Sequence, residues 1–260
     1  MSNELIYKGS LSKKDVGKMS VVSIIIAGGK GERMGQDVPK QFLNVYDKPV
    51  LVYTMENFQR HPGVDKIGVV CVDGWHDVVR AYAAQFNLDK FQWVISGGST
   101  VQESIWAGVK RLTGECSKDD IVIIHDGVRP LVDEFVLTDI IRVCMEYGNA
   151  VPALPYNEQI FKVADDDNDT STSYIVRETI RRVSTPQAYK YGLLSEAYEK
   201  AFATKTGIYG SSYTNTMMVE LGIRLHFAKG SDRNIKLTTL DDLEIFKAYL
   251  SLKKDTWLKR

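Results

Sequence analysis

A short apolar run that leads directly into a glycine-rich segment limits the possible folds of this chain more than any other feature. The run is Val21-Val22-Ser23-Ile24-Ile25-Ile26-Ala27, followed by Gly28 and Gly29. It is much too short to cross a bilayer, but it suits a strand that is buried on both faces of a parallel sheet. Glycines at the carboxyl end of such a strand let a ligand approach the backbone closely. We therefore expect a parallel sheet with a ligand site at its edge.

Similar β-branched runs alternate with amphipathic segments of helical length along most of the chain. The predicted strands are 21–27, 66–72, 91–95 and 121–125, and the predicted helices lie around 50–60, 75–86, 100–112 and 133–147. This alternation predicts an α/β fold with a doubly wound, mostly parallel sheet and crossover helices. Towards the carboxyl end we expect a helix over 191–203, a strand over 224–228 and a closing helix from Asp241.

The alternation is interrupted between about residues 155 and 185. The run Asp165–Ser173 is acidic and rich in hydroxyl groups, so we expect an exposed turn. A cation site is the alternative interpretation, but the spacing of a calcium-binding loop is missing. The flanking segments 159–163 and 174–177 then predict a protruding β-arm, a long hairpin of the kind that often joins two subunits.

Charge and cysteine usage exclude several classes of protein. Among 260 residues, 33 are Lys or Arg and 33 are Asp or Glu, so the formal net charge is +0 and the broad positive field of a nucleic-acid binder is missing. Cys71, Cys116 and Cys144 are far apart, which favours free thiols in a reducing compartment over disulfides or a zinc site. Residues 1–19 lack the apolar core of a secretory signal. We expect a cytoplasmic protein that binds no nucleic acid and inserts into no membrane.

Three cations lie close to the first glycine loop: Lys30, Arg33 and Lys40. The dinucleotide fingerprint is absent, because Met34 stands where its last glycine would be, and no P-loop motif occurs. Positive charge beside glycines whose N–H groups can face phosphate oxygens indicates an anion site such as one for a triphosphate. A solvated basic loop is the alternative.

Two further loops are expected at the same edge of the sheet, because the carboxyl ends of parallel strands meet there. The segment Ser96–Ser104 follows the third predicted strand and contains a second glycine pair, whose neighbouring hydroxyls could instead cap a helix. The segment His125–Pro130 follows the fourth. Its Asp126 could bind magnesium or a substrate hydroxyl, or it could only form an ion pair with Arg129.

Five motifs occur in a fixed order and together cover nearly everything from Val21 to Leu250. They are AGGKGERM at 27–34, PKQF at 39–42, HDGVRP at 125–130, TPQ at 185–187 and NIKLT at 234–238. In this order they resemble the cytidylyltransferases that act on methylerythritol phosphate and ribitol phosphate. The resemblance implies attack by a polyol phosphate oxygen on the α-phosphorus of CTP, with Mg²⁺, to give a CDP-polyol and pyrophosphate. It also implies an extension at 1–20, a single nucleotidyltransferase domain at 21–253, and a homodimer paired through the arm.

The resemblance also implies a role for each matching residue. The catalytic cations that hold the triphosphate would be Arg33, Lys40 and Lys236. The nucleotide would be bound by Ala27, Gly28, Gly29, Lys30, Gly31, Gly97 and Ser104. The polyol phosphate would be bound by Asp126, Arg129, Thr185 and, across the dimer, Arg177, with Asp126 also the candidate metal ligand. Taken by itself, Lys236 is typical of a surface lysine.

Three departures from the family pattern concern the acceptor. Val101 stands where the family usually has arginine, Gln159 where the methylerythritol enzymes have threonine, and 212–214 where they have Thr-Asp-Asp or Thr-Asp-Glu. We therefore expect another alditol phosphate, such as ribitol 5-phosphate or glycerol phosphate destined for a surface polymer. Methylerythritol 4-phosphate is the alternative acceptor. A non-catalytic nucleotide-binding dimer and a glycosyltransferase are the alternative functions.

Overall fold

The arrangement of strands and helices follows from a computed structural model that describes residues 19–29, 38–165, 167–210 and 213–252. Its strands are β1 (Val21–Ala27), β2 (Asn44–Val45), β3 (Lys48–Pro49), β4 (Lys66–Cys71), β5 (Phe91–Ser96), β6 (Ile121–Asp126), β7 (Asn149–Pro155), β8 (Ile160–Lys162), β9 (Ser173–Ile175), β10 (Arg181–Val183), β11 (Gln187–Lys190) and β12 (Phe227–Lys229). Its helices are α1 (Val50–Arg60), α2 (His76–Gln85), α3 (Val101–Arg111), α4 (Glu134–Tyr147), α5 (Tyr191–Thr204), α6 (Thr214–Glu220) and α7 (Leu240–Ser251).

The central sheet has the strand order β10-β7-β11-β6-β1-β4-β5, with β12 beside β7. Strands β6, β1, β4 and β5 are parallel, whereas β11 runs antiparallel to both β6 and β7. In this register Ala27 lies beside Cys71, and Ile26 lies beside Asp126. The ends of β1, β4 and β6 therefore meet at one edge, as the sequence predicts.

Helices cover both faces of the sheet. Side chains along β1 point alternately to opposite sides, so its apolar residues pack against helices on each face. Ile25 packs on one face with residues of α1, α2 and α4, and Ile24 packs on the other with residues of α3, α5 and α6. Both isoleucines have no exposed surface. This two-sided core explains why β1 is apolar nearly throughout, and it confirms the doubly wound α/β fold.

The predicted elements of the first half are confirmed to within one residue at each end. The sequence pattern did not predict β2, β3, β7, β10, β11 or α6, and the strand predicted at 224–228 runs only from Phe227 to Lys229. The reason lies in Asn149, whose side-chain amide donates to the carbonyl of Arg224 (3.0 Å) and accepts from the N–H of His226 (3.0 Å). These side-chain hydrogen bonds take the place of strand pairing at the carbonyl of Arg224 and the N–H of His226, and β12 pairs with β7 from Phe227 onward.

The predicted hairpin is present as a separate two-stranded sheet. Strands β8 and β9 are antiparallel, with Phe161 opposite Tyr174, and they are joined to the central sheet through β7 and β10. Residues 167–172 form exposed turn structure between them, while Ser173, expected in the turn, begins β9. Within the described ranges, no group of three or more histidine, cysteine or acidic side chains could hold a metal ion.

The cysteines agree with the expectation of free thiols. All three cysteines are free thiols; Cys71 and Cys144 are buried and Cys116 is half-buried. Among the helices of the described part of the chain, none has both the length and the apolar character required to cross a membrane.

Candidate active site

The carboxylate of Asp126 is the centre of a cluster of charges at the carboxyl end of β6. Its Oδ2 accepts a hydrogen bond from Nε of Arg129 (2.9 Å) and lies 3.2 Å from Nζ of Lys236. All three side chains are largely buried, with 16% to 30% of their surface exposed. Asp126 and Arg129 thus form the ion pair that the sequence allowed, and Lys236 joins it.

The charges around Asp126 keep its carboxyl group ionised. Burial alone would raise the pKa, but the positive charges of Lys236 and Arg129 and the hydrogen bond from Arg129 outweigh it and lower the pKa to about 2. At neutral pH Asp126 is therefore a full carboxylate. It can accept a hydrogen bond from a substrate hydroxyl or share in binding a cation.

A set of hydrogen bonds brings distant segments to this cluster. Oγ1 of Thr185 accepts from the N–H of Asp126 (3.1 Å), and the side-chain amide of Asn234 donates to the carbonyl of Thr185 (2.6 Å). Nη1 of Arg129 in turn donates to the carbonyl of Asn234 (2.8 Å), and the N–H of Leu237 donates to the carbonyl of Val128 (2.9 Å). The predicted residues Asp126, Arg129, Thr185 and Lys236 therefore lie together.

The described start of the first glycine loop is held by a buried side-chain amide whose role the sequence pattern did not predict. Nε2 of Gln41, with 1% of the residue exposed, donates to the carbonyls of Ala27 (2.6 Å) and Gly29 (3.1 Å). Gln41 lies in the short 3-10 helix Lys40–Phe42, so the same turn carries the half-buried Lys40. The PKQF motif could have indicated this role, because the side-chain amide of a glutamine beside a buried aromatic residue must find hydrogen-bond partners within the protein.

Three predicted residues of the first loop, Lys30, Gly31 and Arg33, lie outside the described residues. The described start of this loop, Ala27 to Gly29, nevertheless lies beside the Asp126 cluster, because the N–H of Gly127 donates to the carbonyl of Ile26 (2.8 Å) at the end of β1.

Ser104 brings the two glycine loops together. A Cβ added to Gly97 would lie 2.7 Å from its Oγ, and one added to Gly28 would lie 3.4 Å away, so both glycines pack against this hydroxyl. Ser104 is 4% exposed; its Oγ donates to the carbonyl of Thr100 (2.9 Å) and accepts from the N–H of Gly98 (3.1 Å). Only glycine permits this close approach at position 97. The helix-capping interpretation also holds, because Oγ1 of Thr100 accepts from the N–H of Glu103 (3.1 Å).

Arg177 lies apart from the cluster, on the arm. Its Nη1 donates to the carbonyl of Asn157 (3.1 Å), and its Nε donates to the carboxylate of Glu178 (3.2 Å). The side chain is about half exposed. Asn157 and Glu178 are both arm residues, and the expected contribution of Arg177 to a site in a second subunit stays a prediction.

This arrangement suits the transfer of a phosphoryl-type group more than covalent catalysis. Burial raises the pKa of the Cys71 thiol to about 11 and that of Cys144 to about 12, so neither is a thiolate at neutral pH. A glycine-lined edge with two cations can instead hold phosphates and stabilise the charge that develops during transfer. Asp126 also fits magnesium, which proteins bind through one or two carboxylates together with substrate phosphates.

Comparisons with known proteins agree with this chemistry. Residues 21–252 match the family described as "IspD: 2-C-methyl-D-erythritol 4-phosphate cytidylyltransferase". A ribitol-5-phosphate cytidylyltransferase of Lacticaseibacillus paracasei is 56% identical over 90% of this chain and 99% of its own length. A 2-C-methyl-D-erythritol 4-phosphate cytidylyltransferase of Syntrophus aciditrophicus is 36% identical over 90% of this chain and 97% of its own length.

A solved structure confirms the fold independently of close sequence identity. The crystal structure of 4-diphosphocytidyl-2C-methyl-D-erythritol synthase from Anaerococcus prevotii superposes with a TM-score of 0.76 at 22% identity, over 90% of this chain and 99% of that one. The family match over nearly the whole described chain and the high identity to curated relatives lead to one conclusion. This chain belongs to the IspD family of cytidylyltransferases.

Proposed function

We propose that this enzyme transfers the cytidylyl group of CTP to ribitol 5-phosphate, giving CDP-ribitol and pyrophosphate. CTP-dependent transfer to a polyol phosphate is the chemistry of its family, and the 56% identical relative, named a ribitol-5-phosphate cytidylyltransferase, supports the acceptor. The observation that supports the proposal most directly is the cluster of Asp126, Arg129 and Lys236 beside the glycine loops. The proposal includes a cytoplasmic location and use of the product in a surface polymer.

On the nucleotide side, the protein supplies charge and position. We assign the phosphates of CTP to Lys40, Arg33 and Lys236, and the cytidine to the loops at 27–31 and 97–104. These cations stabilise the negative charge that grows on the α-phosphoryl oxygens and on the departing pyrophosphate. Holding the acceptor in line with the α-phosphorus then removes most of the entropic barrier. No side-chain nucleophile is required.

On the acceptor side, we assign a polyol hydroxyl to the Asp126 carboxylate and the acceptor phosphate to Arg129 and the arm arginine, Arg177. Thr185 fixes the backbone of Asp126 through its hydroxyl. When bound, Mg²⁺ would neutralise charge on the triphosphate, and Asp126 would be the residue that holds it.

We also propose that the enzyme is a homodimer whose subunits pair through the arm. The hairpin exposes four large apolar side chains, each with about half or more of its surface accessible: Phe161, Val163, Tyr174 and Val176. Apolar side chains grouped in this way on a hairpin are typical of an interface. Arg177 follows directly after Val176, so an arm docked on a second subunit would carry its guanidinium there.

The acceptor is tested by incubating the enzyme with CTP, Mg²⁺ and single polyol phosphates while measuring pyrophosphate release. We expect the highest kcat/KM with ribitol 5-phosphate, and lower values with glycerol phosphate and methylerythritol 4-phosphate. A preference for methylerythritol 4-phosphate would contradict the acceptor and leave the cytidylyltransferase activity in place. Turnover of a sugar nucleotide without CTP would indicate a glycosyltransferase.

The dimer is tested by mixing two strongly impaired variants with measurable residual activity, Arg177→Ala and Lys236→Ala. If Arg177 acts in the partner's site, each mixed dimer has one intact site, and the mixture should recover about a quarter of the wild-type activity. No recovery after subunit exchange, or a monomer in light scattering, would contradict the shared site.

A further inference from the structure

Lys236 has a second neighbour besides Asp126, and it comes from a different part of the chain. Its Nζ lies 5.7 Å from the centroid of the Tyr213 ring. A cation at this distance from a tyrosine ring is attracted by the negative potential of the ring face. Tyr213 is 45% exposed and the Lys236 side chain is 30% exposed, so the contact lies at the rim of the charge cluster.

Tyr213 immediately precedes α6, and a buried network holds the start of this helix. Oγ1 of Thr214 lies 2.8 Å from the hydroxyl of Tyr198, which donates to Oε1 of Gln102 (2.8 Å). Nε2 of Gln102 donates to the carbonyl of Gly207 (2.8 Å). Burial raises the pKa of Tyr198 well above its usual range, so its hydroxyl remains a neutral donor. A buried polar network in which each of these groups has a partner makes the local structure rigid.

The same network connects Tyr213 to the second glycine loop. Gln102 lies in the first turn of α3, which starts directly after that loop, and the backbone N–H of Tyr213 donates to Oγ1 of Thr216 (2.7 Å). The backbone of Tyr213 is therefore fixed relative to the loop assigned to cytidine, and its ring is presented to Lys236 from a defined direction.

An aromatic ring has a chemical advantage over a second carboxylate as the neighbour of this lysine. A carboxylate would neutralise the ammonium group and compete with an incoming phosphate. A ring orients the ammonium group and leaves its full charge. The lysine side chain has four flexible methylene groups, so it gains more from such orientation than a rigid side chain would.

We propose that Tyr213 is a positioning residue, whose ring holds the Lys236 ammonium group where it faces the phosphates of CTP. The inference rests on the proposed function, because that function supplies the ligand of Lys236. It assigns to Tyr213 a role that operates through Lys236 and requires the ring, with no contribution from the phenolic hydroxyl.

The first test compares variants with and without the ring. Tyr213→Phe should keep kcat/KM for CTP within about twofold of wild type, whereas Tyr213→Leu should lower it roughly 3- to 30-fold. Tyr213→Thr is a second ring-free variant, suited to the position before a helix. Tyr209→Leu is the matched control, since Tyr209 is exposed and lines the same small cavity as Tyr213. Equal losses from Tyr209→Leu and Tyr213→Leu would assign the effect to the cavity and overturn the inference.

A double-mutant cycle tests whether Tyr213 acts through Lys236. In the Lys236→Ala background, Tyr213→Leu should change kcat/KM by less than about twofold, because the partner of the ring is already gone. If the two losses multiply instead, the ring acts elsewhere and the inference is wrong.

Calorimetric titration with CTP separates this inference from the proposed function. If wild type binds CTP and Tyr213→Leu weakens the binding only when Lys236 is present, Tyr213 has the proposed role even if no polyol phosphate is turned over. If wild type releases pyrophosphate while Tyr213→Leu leaves both CTP affinity and kcat/KM unchanged, the inference fails and the proposed function stands. A chain that binds no CTP would overturn both.

Discussion

Asp126 and Lys236 lie 3.2 Å apart, Oδ2 to Nζ, although the whole arm and three helices separate them in the chain. The same oxygen accepts a hydrogen bond from Arg129 (2.9 Å), so one carboxylate balances two cations. Removing one partner from a largely buried charge cluster leaves the remaining charges uncompensated. This sharing makes the site sensitive to the loss of any one of the three side chains.

Replacement of Asp126 should therefore affect catalysis strongly. Asp126→Asn keeps the size of the side chain and removes its charge, and we expect kcat/KM to fall on the order of 100- to 1000-fold. Pyrophosphate release with CTP and ribitol 5-phosphate measures the loss. Asp77→Asn, at the largely exposed Asp77 on α2, is the matched control and should retain wild-type activity. Near-normal turnover by Asp126→Asn would exclude a catalytic or metal-binding role.

The phosphate-binding cations can be tested without reference to the acceptor. Lys40→Ala and Arg33→Ala should each remove about 3–4 kcal/mol of transition-state stabilisation, a loss of several hundredfold or more in rate. Single-turnover pyrophosphate release at saturating CTP measures the chemical step. Lys200→Ala, on the exposed side of α5, controls for the loss of one positive charge. Normal rates in either active-site variant would refute these assignments.

Gln41 should be required for the shape of the first glycine loop. Gln41→Leu keeps the volume but leaves the carbonyls of Ala27 and Gly29 without their donor, which should lower the free energy of unfolding by about 1–3 kcal/mol. The KM for CTP should rise, because the loop loses its defined shape. Urea denaturation and steady-state kinetics measure the two effects. Gln92→Leu, on an exposed residue of β5, should change neither, and a stable Gln41→Leu enzyme with wild-type KM would contradict the role.

The buried imidazole of His125 should make the fold sensitive to mild acid. Burial lowers its pKa from 6.5 to about 4, although Nε2 still donates to the carbonyl of Arg129 (3.1 Å). The unfolded chain therefore takes up a proton near pH 6.5 and the folded chain only near pH 4. The free energy of unfolding should fall over this interval, by an amount on the order of 3 kcal/mol from His125.

Urea denaturation between pH 7 and pH 4.5 tests this prediction. His125→Gln keeps a donor for the carbonyl of Arg129 and should have a smaller pH dependence, whereas His76→Gln on α2 should keep the wild-type dependence. Asp126 does not complicate the interval, because its contribution is lost only as the pH falls from 3.8 towards about 2. Equal pH dependence in wild type and His125→Gln would disprove the role of His125.

The sequence predicted those parts of the fold in which local pattern and burial coincide. Strands such as β1 are buried on both faces, so they are apolar throughout, and the helices between them have one apolar side. The segments that form β7 and β11 have no such clear apolar pattern. β7 contains Pro152 and Pro155, and β11 is four residues long and is placed mainly by antiparallel pairing with β6 and β7. Such pairing is decided by distant strands and leaves little trace in a short segment.

The sequence predicted which loops form the candidate site, but not every residue that shapes it. The glycine loops and Asp126 follow predicted strands, and their meeting at one edge follows from parallel topology. Gln41, Asn234 and Tyr213 were missed as contributors, because each acts through a hydrogen bond or ring contact with a residue far away in sequence.

By itself, the sequence determined the parallel core, the edge at which the glycine loops end, and the family of cytidylyltransferases, since these depend on local periodicity and on motifs that are contiguous. Only the tertiary structure decided that Lys236, typical of a surface residue when considered alone, lies against Asp126 and the ring of Tyr213. The physical reason is that the charge and orientation of a side chain depend on what surrounds it in space. Here the surroundings come from β6, the segment before α7 and the start of α6, which only folding brings together.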